Sequence, residues 1–165
     1  MRFTGKEAGC AGALRRFEQT VAAVDDLANL VLEVECLASF DEVAEARTHA
    51  HRASPAGYVP VRDRLVINSA LFETLDWPTQ VAVLGHEVGH AYRHRRGLSR
   101  PFAEDCFEAD VLAIHWGAGD ALLADRERSY GAEYTAILGD VGTVAHAELL
   151  SRYRLWQMRR NAGIG

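Results

Sequence analysis

Hydrophobic residues recur at steps of three and four near the start of the chain, a spacing that predicts an amphipathic helix over about residues 10–30. The apolar stripe consists of Leu14, Phe17, Val21, Val24, Ala28 and Val31. The following segment, VLEVECLAS, alternates apolar and acidic positions. It predicts a strand with one buried face, with a continued helix as the alternative. The helix is expected to be scaffold.

In the middle of the chain, a polar segment is followed by a segment with the pattern of short strands. Residues 40–54, FDEVAEARTHAHRAS, predict a short polar helix that runs into a loop, where His49 and His51 are expected to be solvated. The segment YVPVRDRLVIN then predicts two short strands joined at Arg62-Asp63, with Pro60 at an edge or irregular position. A small β-sheet is therefore expected.

The second half of the chain has helical patterning. Asp76 before Trp77-Pro78 predicts a helix start, and Gly97 predicts its end. Pro101 opens a second helix that ends near residues 117–119, and two or three more are expected at about 120–128, 130–138 and 142–160. The pattern predicts an α+β fold, mainly helical with a small sheet, in one domain spanning residues 1–165.

Composition narrows the class of protein. The 165 residues carry a formal net charge of -5 and are 48% hydrophobic, which suits one modest core and gives no basic field for nucleic acid. No apolar leader or membrane span is visible, so a cytoplasmic location is predicted. Three widely separated cysteines predict reduced thiols rather than a disulfide framework. The sequence leaves the oligomeric state open.

The candidate chemistry lies in LGHEVGH, residues 84–90. Residues four apart share one helix face about 6 Å apart, so His86 and His90 can reach one zinc ion. Glu87 points beside that ion, where a carboxylate can deprotonate water. The alternative is two solvated histidines. Gly85 and Gly89 each cost roughly 1 kcal/mol of helix propensity, which indicates that a metal, a substrate or a close neighbour needs the space.

A catalytic zinc ion needs a third protein ligand and an open position. His94 lies about 12 Å along the same helix from His86, too far to share the ion, and is expected to be solvated. A metzincin is excluded because position 96 is Arg96 instead of histidine. The next helix offers the acidic stretch EDCFEAD, residues 104–110, in which Glu108 lies about 200° round the helix from Asp110.

This stretch resembles the second zinc helix of the gluzincin metallopeptidases, especially the HtpX-like and minimal ImmA/IrrE-like groups. In those families the motif is E-x-x-A-D or E-x-x-A-N, whose glutamate is the third ligand and whose last residue orients a zinc-binding histidine. Ala109-Asp110 matches the end of the motif, and RLVINSALFETL resembles the preceding edge strand and supporting helix. The resemblance covers roughly residues 57–117.

The glutamate position of the family is occupied by Cys106. A thiolate is a good zinc ligand, but its greater charge donation makes a weaker Lewis acid, so reduced or redirected activity is expected. Glu108 and Glu104 are the alternative third ligands. Asp110 stands on an otherwise apolar face and is predicted to accept the second ring N–H of His86 or His90, with an exposed surface aspartate as the alternative.

The resemblance implies a zinc-dependent endopeptidase that cleaves unfolded or loop segments. The substrate would add as a strand beside Tyr58–Val61 or Arg64–Ile67. Candidates for stabilising the oxyanion are His115, Tyr130, Tyr134 and His146. The alternative functions are a zinc-stabilised regulatory or interaction module with weak or no activity, and a hydrolase of non-peptide amides.

Overall fold

The computed structural model describes residues 1–6, 10–38, 54–98 and 100–163. The first half of the chain contributes a mixed β-sheet. The strands are β1 (Arg2–Lys6), β2 (Val31–Leu37), β3 (Ala56–Val59) and β4 (Arg64–Asn68). Their order is β1-β2-β4-β3, in which β3 alone runs antiparallel to its neighbour. The strand β3 is therefore one edge of the sheet, and β4 is internal.

Helices make up most of the described chain, in agreement with the α+β class. They are α1 (Ala11–Thr20), α2 (Ser69–Phe72), α3 (Trp77–Arg95), α4 (Phe102–Ala113), α5 (Gly119–Tyr130), α6 (Ala132–Gly139) and α7 (His146–Asn161). A π-helical turn, Ile114–Ala118, joins α4 to α5. Among the described residues, no helix combines the length and apolar character that a bilayer crossing requires.

Most predicted elements are confirmed with small shifts of their bounds. Asp76 caps α3 by accepting a hydrogen bond from the Thr79 N–H at 3.0 Å, as its position before Pro78 indicates. The strands β3 and β4 form the predicted hairpin, with Pro60 in a 3₁₀ turn between them. The short helix predicted for residues 40–54, with His49 and His51, falls largely outside the described residues.

The first predicted helix is too long. The helix α1 ends at Thr20, and the chain folds back through a 3₁₀ turn, Asp25–Leu27, before Val31 begins β2. Because β2 pairs in parallel with β1, the chain must return to the end of the sheet at which β1 starts, and a helix continuing to residue 30 would carry it past that point. Val21 and Leu27 stay buried in the turn, which explains why the apolar stripe continues.

The prediction of reduced thiols is wrong for two of the three cysteines. Cys10 at the start of α1 and Cys36 in β2 form a disulfide, while Cys106 is free. The two half-cystines lie 26 residues apart in sequence, and the packing of α1 against the sheet brings their Cα atoms to 6.8 Å. Disulfides persist mainly in oxidising compartments, so the cytoplasmic location stays a prediction without support from this pair.

Two hydrophobic clusters hold the fold together. The first lies between the sheet, α1 and α3 and contains Phe17, Leu65 and Leu84. The second lies beyond α4, where Phe107 packs with residues of α6 and α7 such as Leu138 and Tyr153. The helices α3 and α4 therefore stand between the two clusters, and their facing surfaces form the candidate site.

Candidate metal centre

Two glycines allow α3 and α4 to approach closely. A Cβ atom at Gly89 would lie 2.9 Å from the Ala109 carbonyl oxygen, and one at Gly85 would lie 3.0 Å from the Ala113 Cβ. Either methyl group would force the helices apart. Of the three reasons considered for these glycines, a close-packed neighbour is the one that the structure supports.

This approach brings together the side chains of His86, His90 and Cys106. Their ligand atoms all lie within 4.8 Å of one another, and the two Nε2 atoms are 3.1 Å apart. Tetrahedral zinc with typical Zn–N and Zn–S bond lengths separates its ligand atoms by about 3.3 to 3.6 Å. Two imidazoles and one thiolate are donors that zinc accepts, and three protein ligands would leave one position of a tetrahedral ion open.

Each imidazole is held from behind by a carboxylate. His86 Nδ1 lies 2.6 Å from Asp110 Oδ1, and His90 Nδ1 lies 2.7 Å from Asp105 Oδ2. Since an ionised carboxylate only accepts, both Nδ1 atoms donate. Each Nε2 atom is then left to bind a proton or a metal ion, and the two Nε2 atoms face each other at 3.1 Å. The donor set therefore fits a metal ion, with the usual carboxylate support behind each imidazole.

Asp110 is the centre of a buried polar network. Its side chain is 1% exposed and accepts two hydrogen bonds of 2.8 Å from the Arg126 guanidinium and one of 2.8 Å from the Tyr134 hydroxyl. The predicted contact of Asp110 with a histidine ring is formed, with His86, and the alternative of an exposed surface aspartate is wrong. Sequence reasoning missed Arg126, which comes from α5 and carries no local signal.

Asp105 is the second missed residue. Besides His90, it accepts hydrogen bonds from Arg93 Nε at 3.0 Å and from the Arg100 backbone N–H at 3.2 Å. Its place beside Cys106 on the predicted second helix was the only available signal. That signal could not separate it from the neighbouring acidic residues, because its direction depends on how α4 is rotated against α3.

The carboxylates shift the ionisation of the cluster. Burial would lower the pKa of His86, but the Asp110 carboxylate outweighs burial and raises it. Burial likewise opposes protonation of His90, yet Asp105 and Cys106 raise its pKa to about 10. Burial would raise the pKa of Cys106, whereas the two imidazoles lower it. The two imidazoles thus make the Cys106 thiol easier to ionise, as a metal-binding thiol requires.

The two alternative ligands lie on other sides of α4. Glu104 forms hydrogen bonds of 2.8 and 3.0 Å with the Arg154 guanidinium of α7. Glu108 is buried beside His146, whose Nε2 lies 3.1 Å from Glu108 Oε1, and beside Arg93 at 3.5 Å. Within the described ranges, the group that could hold a metal is His86, His90 and Cys106.

Glu87 lies at the cluster and is tied to the edge strand. Its Oε2 accepts a hydrogen bond of 2.7 Å from the Tyr58 backbone N–H of β3. Both residues line a cleft of about 590 Å³ that also contains the three candidate ligands. Since β3 is the edge and β4 is internal, the suggestion that a substrate pairs with Arg64–Ile67 is wrong.

The four oxyanion candidates are placed differently. Tyr130 lines the cleft. Tyr134 also borders it, but its hydroxyl is bonded to Asp110. His146 is bonded to Glu108, and His115 lies exposed in the π-helical turn. Within the described part of the chain, Tyr130 is therefore the candidate that lines the cleft and forms no hydrogen bond with Asp110, although the Arg126 guanidinium lies 5.9 Å from the centre of its ring.

Comparisons with known proteins returned no match: no protein-family model, no curated protein and no solved structure matches the chain. The gluzincin resemblance therefore depends on the motif residues alone.

Proposed function

We propose that this chain is a zinc-dependent metallopeptidase in which His86, His90 and Cys106 hold the metal and Glu87 activates water. The observation that carries the proposal is the convergence of two imidazoles and a thiol within 4.8 Å, in a cleft that also contains Glu87. The carboxylates behind both imidazoles support it, because they leave both Nε2 atoms available as ligands.

When bound, the zinc ion supplies a Lewis acid that acidifies water and polarises a carbonyl group. Glu87 would take the proton of the attacking water and pass it to the leaving amine nitrogen as the peptide C–N bond breaks. Its hydrogen bond with the Tyr58 N–H fixes one carboxylate oxygen beside the cluster. Asp110 and Asp105 keep the two imidazoles in one orientation. Ala56 and Tyr58 of the edge strand β3 line the cleft, which favours an extended segment, such as an unfolded or loop region of a protein, as the substrate.

The second candidate function is a zinc-stabilised regulatory or interaction module with weak or absent activity. The thiol of Cys106 at the position of a carboxylate favours it, because a thiolate reduces the positive charge available on the ion. A Cys106→Glu variant separates the candidates. Increased proteolysis with retained zinc indicates a peptidase whose activity is lowered by Cys106. Loss of zinc indicates that the thiol is required for metal binding.

Metal analysis is the first test of the site. We expect one zinc ion per wild-type chain, the same content in Glu108→Ala, and a large loss in Cys106→Ala. Glu108→Ala is the matched control because it removes an acidic side chain of the same helix outside the cluster. Equal zinc content in wild type and Cys106→Ala would show that the thiol is not a ligand.

Cleavage of unfolded casein is the test of the reaction. We expect wild type loaded with zinc to cleave, and Glu87→Gln to keep the zinc and lose cleavage, because glutamine cannot accept the proton. Cleavage by Glu87→Gln at the wild-type rate would refute the mechanism. Zinc binding without cleavage by wild type would favour the regulatory module.

A further inference from the structure

A chain of hydrogen bonds at one end of the cleft fixes a histidine that the proposed mechanism does not use. His94 is exposed, lines the cleft and lies one helical turn after His90. Its Nδ1 is 2.8 Å from the hydroxyl of Tyr58, and that hydroxyl is 2.6 Å from Asp63 Oδ1. Arg95 donates to both oxygens of Asp63, at 2.9 and 3.0 Å.

The direction of these hydrogen bonds follows from the number of hydrogens that each group carries. Burial would raise the pKa of Asp63, but Arg95 lowers it below its usual range, so the carboxylate only accepts. Burial raises the pKa of the Tyr58 hydroxyl, which keeps its single hydrogen and donates it to Asp63. The Tyr58 oxygen must then accept from His94 Nδ1. In the neutral ring, Nε2 therefore carries a lone pair.

The backbone at Asp63 is shaped for this contact. Asp63 has a φ of 50°, in the left-handed region that few residues other than glycine adopt. This conformation ends the 3₁₀ turn between β3 and β4 and places the carboxylate against both Tyr58 and Arg95. Among the described residues, none forms a hydrogen bond with His94 Nε2.

We propose that His94 is a substrate-positioning residue whose Nε2 accepts a hydrogen bond from a main-chain N–H of the peptide in the cleft. The inference depends on the proposed peptidase function. Successive N–H groups of an extended peptide point to opposite sides, so those directed away from β3 need acceptors other than the strand. His94 supplies such an acceptor near the end of β3, and Tyr58 and Asp63 keep it in the accepting tautomer.

The tautomer is tested without any activity, by nitrogen-15 NMR of the histidine side chains in the 165-residue chain. His94→Gln assigns the signal, which we expect to show a hydrogen on Nδ1. Tyr58→Phe removes the hydroxyl but keeps the backbone N–H that bonds Glu87, and it should abolish this preference. A hydrogen on Nε2 in wild type would overturn the inference whatever the activity.

The substrate contact is tested with a synthetic decapeptide spanning a bond that the protein cleaves in casein, and with single N-methyl derivatives of it. His94→Asn keeps a polar group near the position of Nδ1 and loses Nε2, so we expect KM to rise roughly 3- to 10-fold at constant kcat. His94→Gln, which places an amide near the position of Nε2, should lose less. The N-methyl group that replaces the N–H bound by His94 should impair binding to wild type but not to His94→Asn.

The two proposals fail in different ways. If casein is cleaved and both His94 variants match wild type in KM, or if every N-methyl penalty is the same in wild type and His94→Asn, only the role of His94 is refuted. If casein stays intact while the Nδ1 hydrogen is observed, the peptidase function is refuted and the substrate contact with it.

Discussion

Acidic residues lie on several sides of α4, and their surroundings differ. On the side facing α3, Asp105 and Asp110 hold the two imidazoles, and the Asp110 side chain is 1% exposed. On other sides, Glu104 pairs with a half-exposed arginine of α7, and Glu108 lies beside His146. Burial against a histidine is therefore not sufficient: a carboxylate on α4 is part of the candidate metal centre only where it contacts His86 or His90 of α3, since Glu108 is also buried but lies beside His146.

Removing Asp110 should have the largest effect on stability. Asp110→Ala leaves the guanidinium of Arg126 without its buried partner, so we expect a loss of about 3–5 kcal/mol in the free energy of unfolding. Urea unfolding in the presence of a chelator measures this without a contribution from metal. The double variant with Arg126→Met should recover part of the loss, since it removes the unpaired charge. A loss below about 1 kcal/mol would contradict the buried network.

Widening the gap between α3 and α4 should have the next largest effect on stability. Gly89→Ala places a methyl group against the Ala109 backbone, so we expect a loss of about 1–3 kcal/mol together with weaker zinc binding. Gly12→Ala in α1 is the matched control, because nothing lies within 4 Å of its added Cβ. Helix propensity should make the control more stable by up to about 1 kcal/mol. Equal urea midpoints for both variants would refute the close approach.

Replacing Asp105 should reduce the affinity for zinc more than it reduces the stability of the fold. Asp105→Asn keeps the shape but loses the negative charge behind His90, so we expect zinc affinity to fall about 10- to 100-fold. Titration against a chelating dye measures the affinity. Glu104→Gln, a change in the preceding residue, is the control and should bind zinc as wild type does. An unchanged affinity in Asp105→Asn would indicate that His90 needs no support.

The smallest effect is expected on the α7 side of α4. The Glu104 and Arg154 side chains are 21% and 52% exposed, so water screens their ion pair. We expect Glu104→Gln to change the free energy of unfolding by no more than about 1 kcal/mol. The same urea titration measures it. A loss as large as that of Asp110→Ala would remove the contrast between the two sides.

The sequence by itself determined the elements that depend on local chemistry. The spacing of His86 and His90 puts both imidazoles on one helix face in any context, and Asp76 and Pro78 start that helix. The hairpin of β3 and β4 likewise follows from its own alternation and turn. The end of α1 was missed because an apolar stripe does not distinguish a helix from a turn that buries the same residues.

Only the tertiary structure decided which distant groups meet. The disulfide between Cys10 and Cys36, the hydrogen bonds from Arg126 to Asp110 and the pairing of β4 with β2 all join segments that lie apart in sequence. The last of these leaves β3 at the edge of the sheet. The orientation of α4 also depends on packing, because Gly85 and Gly89 set its distance from α3, and that contact turns Cys106 toward the histidines and Glu108 away. No local pattern encodes that rotation, since residues able to bind a metal lie on more than one side of α4.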